Sequence, residues 1–146
     1  MNRESSDEAV DLFNRGFYCS QAVFYAYCER FGLDKDMACR IATPFGAGIG
    51  WTGNMCGAVA GALMVIGLCH GNTDPDDMDA KKKVFAATQK FMVEFVDRHA
   101  SINCTELLGY DLSDPDQRFE ARKVGVTKEK CPVFVRDAAK ILELIL

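Results

Sequence analysis

Four of the seven cysteines in this chain stand out, because each lies where a helix is predicted to begin. They are Cys19, Cys56, Cys104 and Cys131. At a helix start the backbone N–H groups are unpaired and the helix dipole is positive, an environment that lowers the pKa of a thiol and favours the thiolate. A thiolate is both a nucleophile and a ligand for soft metals. This pattern predicts a redox or metal-binding site.

Cys56 is the thiol that we expect to be most reactive, because it follows a glycine-rich loop with accessible backbone. Cys19 is its expected partner in catalysis by thiol and disulfide cycling. Together with Cys104 and Cys131 they also form the donor set of a Cys₄ zinc site or an iron–sulfur cluster. No C-x-x-C motif occurs, so the sequence leaves metal binding and thiol cycling open. The other cysteines fall inside or at the end of helical segments and are expected to be packing residues: Cys28, Cys39 and Cys69.

The loop before Cys56 contains glycine at every second or third position: Gly46, Gly48, Gly50 and Gly53. Part of it fits the G-x-G-x-x-G pattern, but no strand precedes it and no Lys-Ser/Thr pair follows, which argues against a nucleotide. Glycines also allow close backbone approach and form a nest of N–H groups for an anion, such as a thiolate or a cluster sulfur. Four loop residues are therefore candidate cofactor contacts: Gly48, Gly50, Gly53 and Trp51. Trp51 is expected either to cover an apolar pocket or, preferably, to anchor the loop in the core.

No Asp, Glu, Lys or Arg occurs from Ile41 to Thr73, although 26% of the chain is charged. The uninterrupted apolar part, Met55 to Cys69, falls short of the roughly 20 residues that a membrane-spanning helix needs. We therefore predict a buried central helix over about 54–68 and do not expect membrane insertion. Its G-x-x-x-G pair, Gly57 and Gly61, is expected to offer a smooth face for close packing.

Apolar residues recur at helical spacing in most of the remaining chain. The segments are 7–14, 20–31, 33–42, 74–96, 104–108 and 133–146, with a further brief turn from 113. Pro132 is expected to open the last helix. No stretch alternates long enough to predict a strand. The sequence thus predicts an all-α, single-domain bundle over residues 1–146, with about five main helices around the Gly/Ala-rich central one.

Composition limits the partners of this domain. A net charge of −4 and a pI near 5.2 argue against a nucleic-acid surface. The first residues lack the apolar stretch of a signal peptide, so we expect a cytoplasmic protein, where many cysteines indicate a metal or redox centre more than structural disulfides. The two histidines, His70 and His99, have no ligand spacing.

Several elements carry a resemblance to a known family: Cys19-Ser-Gln-Ala-Val, the block from Phe45-Gly-Ala-Gly to Cys56-Gly-Ala-Val-Ala-Gly, Asn103-Cys104-Thr-Glu-Leu-Leu-Gly, and Cys131. Over about 15–145 the chain resembles the C-GCAxxG-C-C family, which is described as redox-active. It departs from the family label in one respect, since it has Cys56-Gly57-Ala58 where the label has Gly-Cys-Ala.

The resemblance implies that the same four cysteines are the functional residues, and it implies no substrate. The expected partner is an unidentified electron-transfer protein or small molecule, and a homodimer is left open. The alternative function is a non-catalytic binding module, in which a Gly/Ala-lined cavity holds an apolar ligand or a partner helix and the cysteines are structural.

Overall fold

The computed structural model describes residues 3–146, which form eight right-handed α-helices joined by short turns. They are α1 (Ser5–Asn14), α2 (Cys19–Cys28), α3 (Lys35–Ala42), α4 (Gly57–His70), α5 (Met78–His99), α6 (Cys104–Leu108), α7 (Pro115–Val124) and α8 (Val126–Ile145). No β-strand occurs among these residues, so the all-α prediction is confirmed. The expected number of about five helices is too low, because hydrophobic periodicity does not separate short helices from turns.

Helix α4 is the buried central helix that the sequence predicts. Every residue from Gly57 to Ala62 is buried, and so are Val65 and Ile66 in the following turns. Its glycines let it approach α2 closely: a methyl group on Gly61 would lie only 2.7 Å from the Ser20 carbonyl oxygen. None of the described helices is long and apolar enough to cross a membrane. The buried side chains of α4 belong to one apolar cluster with those of α2, α5 and α8.

The two longest helices, α5 and α8, close the core around α4 and α2. Helix α5 contributes Phe91 and Phe95, which are both fully buried. Helix α8 is tied to α2 by the hydroxyl of the buried Tyr27, which donates to the Ala139 carbonyl oxygen at 2.9 Å. The buried apolar side chains from these elements form one cluster that extends to the cysteines discussed below.

The start of the last helix differs from the prediction. Helix α8 begins at Val126, and Pro132 lies inside it. Gly125, with φ of 74°, ends α7 and leads directly into α8, whose first side chain is already buried. A proline in the second turn loses one backbone hydrogen bond, which this packing offsets. Pro132 is therefore not a helix-start signal here.

The start of α5 also differs from the prediction, which begins this helix at Asp74. Asp74 instead closes a turn by accepting from the Asp76 N–H at 2.9 Å. The N-cap is Asp77, whose carboxylate accepts from the Ala80 N–H at 3.0 Å. The chain offers two candidate caps in the same acidic run, and the second one begins the helix.

Candidate functional site: a cavity lined by four thiols

A cavity of about 110 Å³ lies among the first residues of α2, α4 and α6 and the first half of α8. All four cysteines singled out in the sequence line it: Cys19, Cys56, Cys104 and Cys131. The remaining three, Cys28, Cys39 and Cys69, lie elsewhere, and all seven thiols are free. The structure thus brings the four candidate thiols to one place, while their redox or ligand roles remain predictions.

The rest of the lining is almost entirely carbon. It comprises Phe13, Ala47, Gly48, Gly57, Leu107, Leu108, Leu112, Thr127 and Phe134. Apart from Gly48, sequence reasoning missed these residues as parts of the site. A signal was present for two of them, because Leu107 follows Cys104 and Phe134 follows Cys131 by three residues, which places each pair on one helix face. The thiols therefore lie in surroundings that solvate charge poorly.

Three of the four cysteines occupy the helix starts that the sequence predicts. Cys19 is the first residue of α2, Cys56 is the N-cap of α4, and Cys104 is the first residue of α6. Cys131 does not occupy such a position, because α8 begins five residues before it. Its sulfur therefore faces the cavity from within a helix and gains nothing from unpaired N–H groups at a helix end.

The segments before Cys56 and Cys104 are paired with each other. The Cys56 N–H donates to the Ile102 carbonyl oxygen, and the Cys104 N–H donates to the Asn54 carbonyl oxygen, both at 2.7 Å. These two bonds form an isolated antiparallel β-bridge. The bridge fixes the separation of two cavity thiols through the backbone, although the two residues are far apart in sequence.

The glycine-rich loop forms a left-handed turn, Gly46–Trp51, against the cavity. Ala47, Gly48, Ile49 and Gly50 have φ values between 54° and 68°. L-residues other than glycine pay roughly 1–2 kcal/mol each for this conformation, so the packing around Ala47 and Ile49 must offset the cost. The turn is closed by the Gly48 carbonyl oxygen, which accepts from the Asn54 N–H at 2.9 Å.

Of the four loop residues that are candidate cofactor contacts, the cavity includes Gly48. A methyl group on Gly48 would lie 3.0 Å from the Cys104 sulfur. Gly50 and Trp51 line a separate surface depression, and Gly53 packs against Thr105 and Asp111. Trp51 is 46% exposed with the Arg118 guanidinium stacked on its ring, so the preferred expectation that it anchors the loop in the core is wrong.

The Cys19 sulfur is surrounded by backbone donors from three segments. The N–H groups of Ala47 in the left-handed turn, Ser20 in α2 and Gly57 in α4 lower the pKa of this thiol, against the larger effect of burial. Gly57 approaches so closely that a methyl group there would overlap the sulfur, and it would also lie 3.0 Å from the Phe45 carbonyl oxygen. Backbone from separate segments thus lies close around a buried thiol.

One protein-family model, described as "Putative redox-active protein (C_GCAxxG_C_C)", matches residues 17–145, a range that includes all four cavity cysteines. The chain belongs to this family. The family resemblance drawn from the sequence is thereby confirmed. Neither the curated proteins nor the solved structures provide a match. For this C_GCAxxG_C_C protein, the chemistry of the site must therefore be argued from its own residues.

Burial dominates the acidity of the four thiols in this C_GCAxxG_C_C protein. Burial raises the pKa of Cys19, and the backbone hydrogen bonds to its sulfur oppose that rise. Burial raises the pKa of Cys56 well above its ordinary value and that of Cys104 to about 12; it also raises the pKa of Cys131. The expectation that helix starts lower these pKa values is wrong, because desolvation of the thiolate exceeds the stabilisation by N–H groups.

Cys19 also affects the pKa values of the other three thiols. After burial, the next cause that raises the pKa of Cys56, Cys104 and Cys131 is repulsion from a charged Cys19. Like charges in a poorly solvated site suppress each other's ionisation. Cys19 is thus the first of the four thiols to ionise, although burial raises its own pKa as well.

Four thiols around one cavity are the donor type that zinc and iron–sulfur clusters take, so membership of the family is compatible with a metal or cluster cofactor. Within residues 3–146, however, no three His, Cys, Asp or Glu side chains are grouped closely enough to hold a metal ion. The thiols as placed therefore do not fit a preformed metal site, and no step below depends on a metal.

Proposed function

We propose that this protein catalyses thiol–disulfide exchange, with Cys19 as the nucleophile and Cys56 as the resolving thiol. The observation that carries the proposal is the convergence of four thiols on one cavity, where a methyl group on Gly57 would overlap the Cys19 sulfur and lie 3.1 Å from the Ser20 nitrogen. This revises the expectation from sequence that Cys56 is the more reactive of the pair. The nearby backbone N–H groups favour the thiolate of Cys19, and the thiolate is the form that attacks a disulfide.

The substrate disulfide is itself the oxidant in this exchange. The Cys19 thiolate attacks one sulfur of R–S–S–R, the S–S bond breaks, and one thiolate R–S⁻ leaves. The Cys56 thiol then loses its proton and attacks the Cys19 sulfur of the mixed disulfide, which releases the second thiolate. Two protein thiols are oxidised to one disulfide, the substrate is reduced to two thiols, and the protons of Cys19 and Cys56 end on the products.

Resolution by Cys56 is supported by its place in the chain. Cys56 immediately precedes Gly57, where a methyl group would overlap the Cys19 sulfur, and both cysteines line the same cavity. Cys104 and Cys131 supply protonated thiols to the same cavity. We assign them the role of neutral neighbours, because their raised pKa values keep them protonated beside the reacting Cys19.

The setting is consistent with this chemistry. All seven thiols are free, and free thiols persist in the reducing cytoplasm, where we place the protein. Its physiological electron partner and a homodimeric state remain predictions. The alternative of a non-catalytic binding module is favoured by one observation, the almost wholly apolar lining of the cavity, and the experiment below separates the two.

The test is reduction of hydroxyethyl disulfide by pre-reduced protein under anaerobic conditions, followed by mass mapping of the protein disulfide. The expected product is a Cys19–Cys56 bond. Cys19→Ser should lower the rate at least about 100-fold, because a serine hydroxyl does not ionise at neutral pH. Cys56→Ser should accumulate the mixed disulfide on Cys19.

Cys39→Ser is the matched control, since Cys39 lies outside the cavity, and it should react like the unmodified protein. Equal rates for Cys19→Ser and Cys39→Ser would contradict the proposal and favour the binding module. Zinc or iron bound in stoichiometric amounts by anaerobically purified protein would instead favour a Cys₄ site that forms by rearrangement of the thiols.

A further inference from the structure

A second depression adjoins the thiol cavity on the side of α6 and α8. It has a volume of about 380 Å³ and opens to solvent. It is lined by His99, Glu106, Leu107, Glu129, Lys130, Val133 and Phe134. Leu107 and Phe134 also line the thiol cavity, so a single layer of side chains separates the two spaces.

These two wall residues are linked to the thiols by helix geometry. Leu107 lies one turn after Cys104 on α6, and Phe134 lies one turn after Cys131 on α8. Residues three apart share a helix face. Leu107 and Phe134 are therefore the residues between which a substrate in the depression would reach the thiols.

The depression differs from the cavity in its charge. Its rim carries the exposed carboxylates of Glu106 and Glu129 and the exposed ammonium of Lys130. The Lys130 ammonium lies 3.5 Å from the carbonyl oxygen of Leu108, a residue that lines the thiol cavity. Positively and negatively charged groups thus lie one layer of side chains away from the apolar thiol cavity.

His99 adds a fixed polar group to this rim. Its Nε2 lies 2.8 Å from an Asp137 carboxylate oxygen, and only 11% of its side chain is exposed. Its ring packs edge-on against Phe134, with ring centroids 5.0 Å apart. Asp137 therefore holds the imidazole in one orientation beside the wall residue that separates the depression from the thiols.

The lining of each space determines which part of a substrate can bind there. The thiol cavity is lined almost entirely by carbon and sulfur. A disulfide sulfur pair with its neighbouring carbons suits that lining, whereas amino and carboxylate groups would be desolvated there at high cost. The polar end of such a molecule must lie outside, and the depression is the adjoining space with charges of both signs.

We infer that the substrate is a small zwitterionic disulfide derived from cysteine, whose amino and carboxylate groups bind in the depression while its S–S bond enters the thiol cavity. Lys130 and His99 would bind the carboxylate, and Glu106 and Glu129 the ammonium group. The inference rests on the proposed exchange reaction and adds the substrate class. The exchange is balanced as above, with the disulfide as oxidant and two molecules of the cysteine-type thiol as products.

The experiment compares L-cystine, which carries both charges, with neutral hydroxyethyl disulfide as substrates of the pre-reduced full chain. Lys130→Gln and Glu106→Gln should each raise KM for cystine about tenfold, the effect of losing one charge-assisted hydrogen bond. The kinetics with hydroxyethyl disulfide should stay within about twofold. Lys130→Arg should restore most of the affinity for cystine.

Lys128→Gln and Glu120→Gln are matched controls, since both residues are exposed and lie outside the depression, and neither should change KM for cystine. If the rim variants leave KM for cystine unchanged, or weaken both substrates equally, the substrate inference is overturned while the exchange reaction stands. If the unmodified protein reduces neither disulfide, the proposed function is overturned and this inference with it.

Discussion

Helices α2 and α8 enclose a buried polar group at each of two places, and the two groups are held differently. The Tyr27 hydroxyl donates to the Ala139 carbonyl oxygen and lies 2.7 Å from the Glu143 carboxylate, which also binds the Arg30 guanidinium at 3.0 Å. The Cys19 sulfur, in contrast, is near backbone N–H groups of three segments that lower its pKa. Burial raises the pKa of both groups.

The difference between these two regions indicates that one serves stability and the other reactivity. In the tyrosine network the main partners stabilise the neutral hydroxyl, because Tyr27 donates its proton to an acceptor and Glu143 opposes its ionisation more strongly than Arg30 favours it. In the thiol cavity the donors act on the charged form and oppose the effect of burial. A network that keeps a group neutral contributes stability, whereas one that supports a charged sulfur supports reaction.

The largest expected effect comes from Gly57→Ala, which pushes a methyl group into the Cys19 sulfur and the backbone of the turn. Overpacking of this kind costs about 1–3 kcal/mol, and contact with backbone on two sides places this site at the upper end. Urea unfolding measures the loss of stability, and the rate of exchange with hydroxyethyl disulfide should fall as well.

Gly67→Ala is the control for that change, because nothing lies within 4 Å of a methyl group at this position of the same helix. Alanine in place of a helical glycine stabilises by roughly 0.5–1 kcal/mol. If both variants shift stability in the same direction, the close approach of α4 to Cys19 is not the reason for glycine at position 57.

A second prediction concerns stability at alkaline pH, which should depend on the thiols of the cavity. The pKa of Cys104 is about 12 in the folded protein, whereas the ordinary value for this thiol is 9.0. Above pH 9 the unfolded chain therefore binds fewer protons than the folded one. Stability is therefore full below the ordinary thiol pKa and is lost as pH rises towards 12, by up to about 1.4 kcal/mol per pH unit for this group.

Urea unfolding at pH 7.5 and pH 10 measures this slope. Cys104→Ser removes one titrating thiol, so its free energy of unfolding should fall less between the two pH values. An identical slope in both proteins would show that Cys104 ionises in the folded state as readily as in the unfolded chain, contrary to its burial.

A smaller effect is expected from Tyr27→Phe. It leaves Ala139 and Glu143 without a buried donor and should lower stability by about 1–2 kcal/mol, with the thiol–disulfide exchange rate unchanged. Tyr25→Phe, at a hydroxyl outside this network, serves as the control. A slower exchange rate in Tyr27→Phe would mean that the two regions are coupled through α2 and α8.

The helices and the convergence of the thiols follow largely from local sequence. Cys19 and Cys104 lie at helix starts that capping and periodicity rules locate, and the family resemblance adds that they act together. Cys131 was misplaced because Pro132 is the usual mark of a helix start, and only the burial of Val126 shows that α8 begins earlier.

Two features of the site lie beyond local rules. The left-handed turn is not predicted, because helical periodicity assumes right-handed backbone and Ala47 and Ile49 adopt the rarer conformation only under tertiary packing. The raised pKa values are not predicted either. The sequence places Cys56 at a positive helix end, but the depth at which that end is buried depends on helices far away in the chain.

Trp51 is the chain's single tryptophan and lies at the end of that left-handed turn. Indole emission therefore reports on one place in the molecule, four residues from Ala47, which lines the thiol cavity. Its half-exposed ring is stacked under Arg118, so displacement of the turn would alter its environment and its fluorescence. The protein thus carries a built-in optical reporter of the wall that covers its thiols, readable without any attached label.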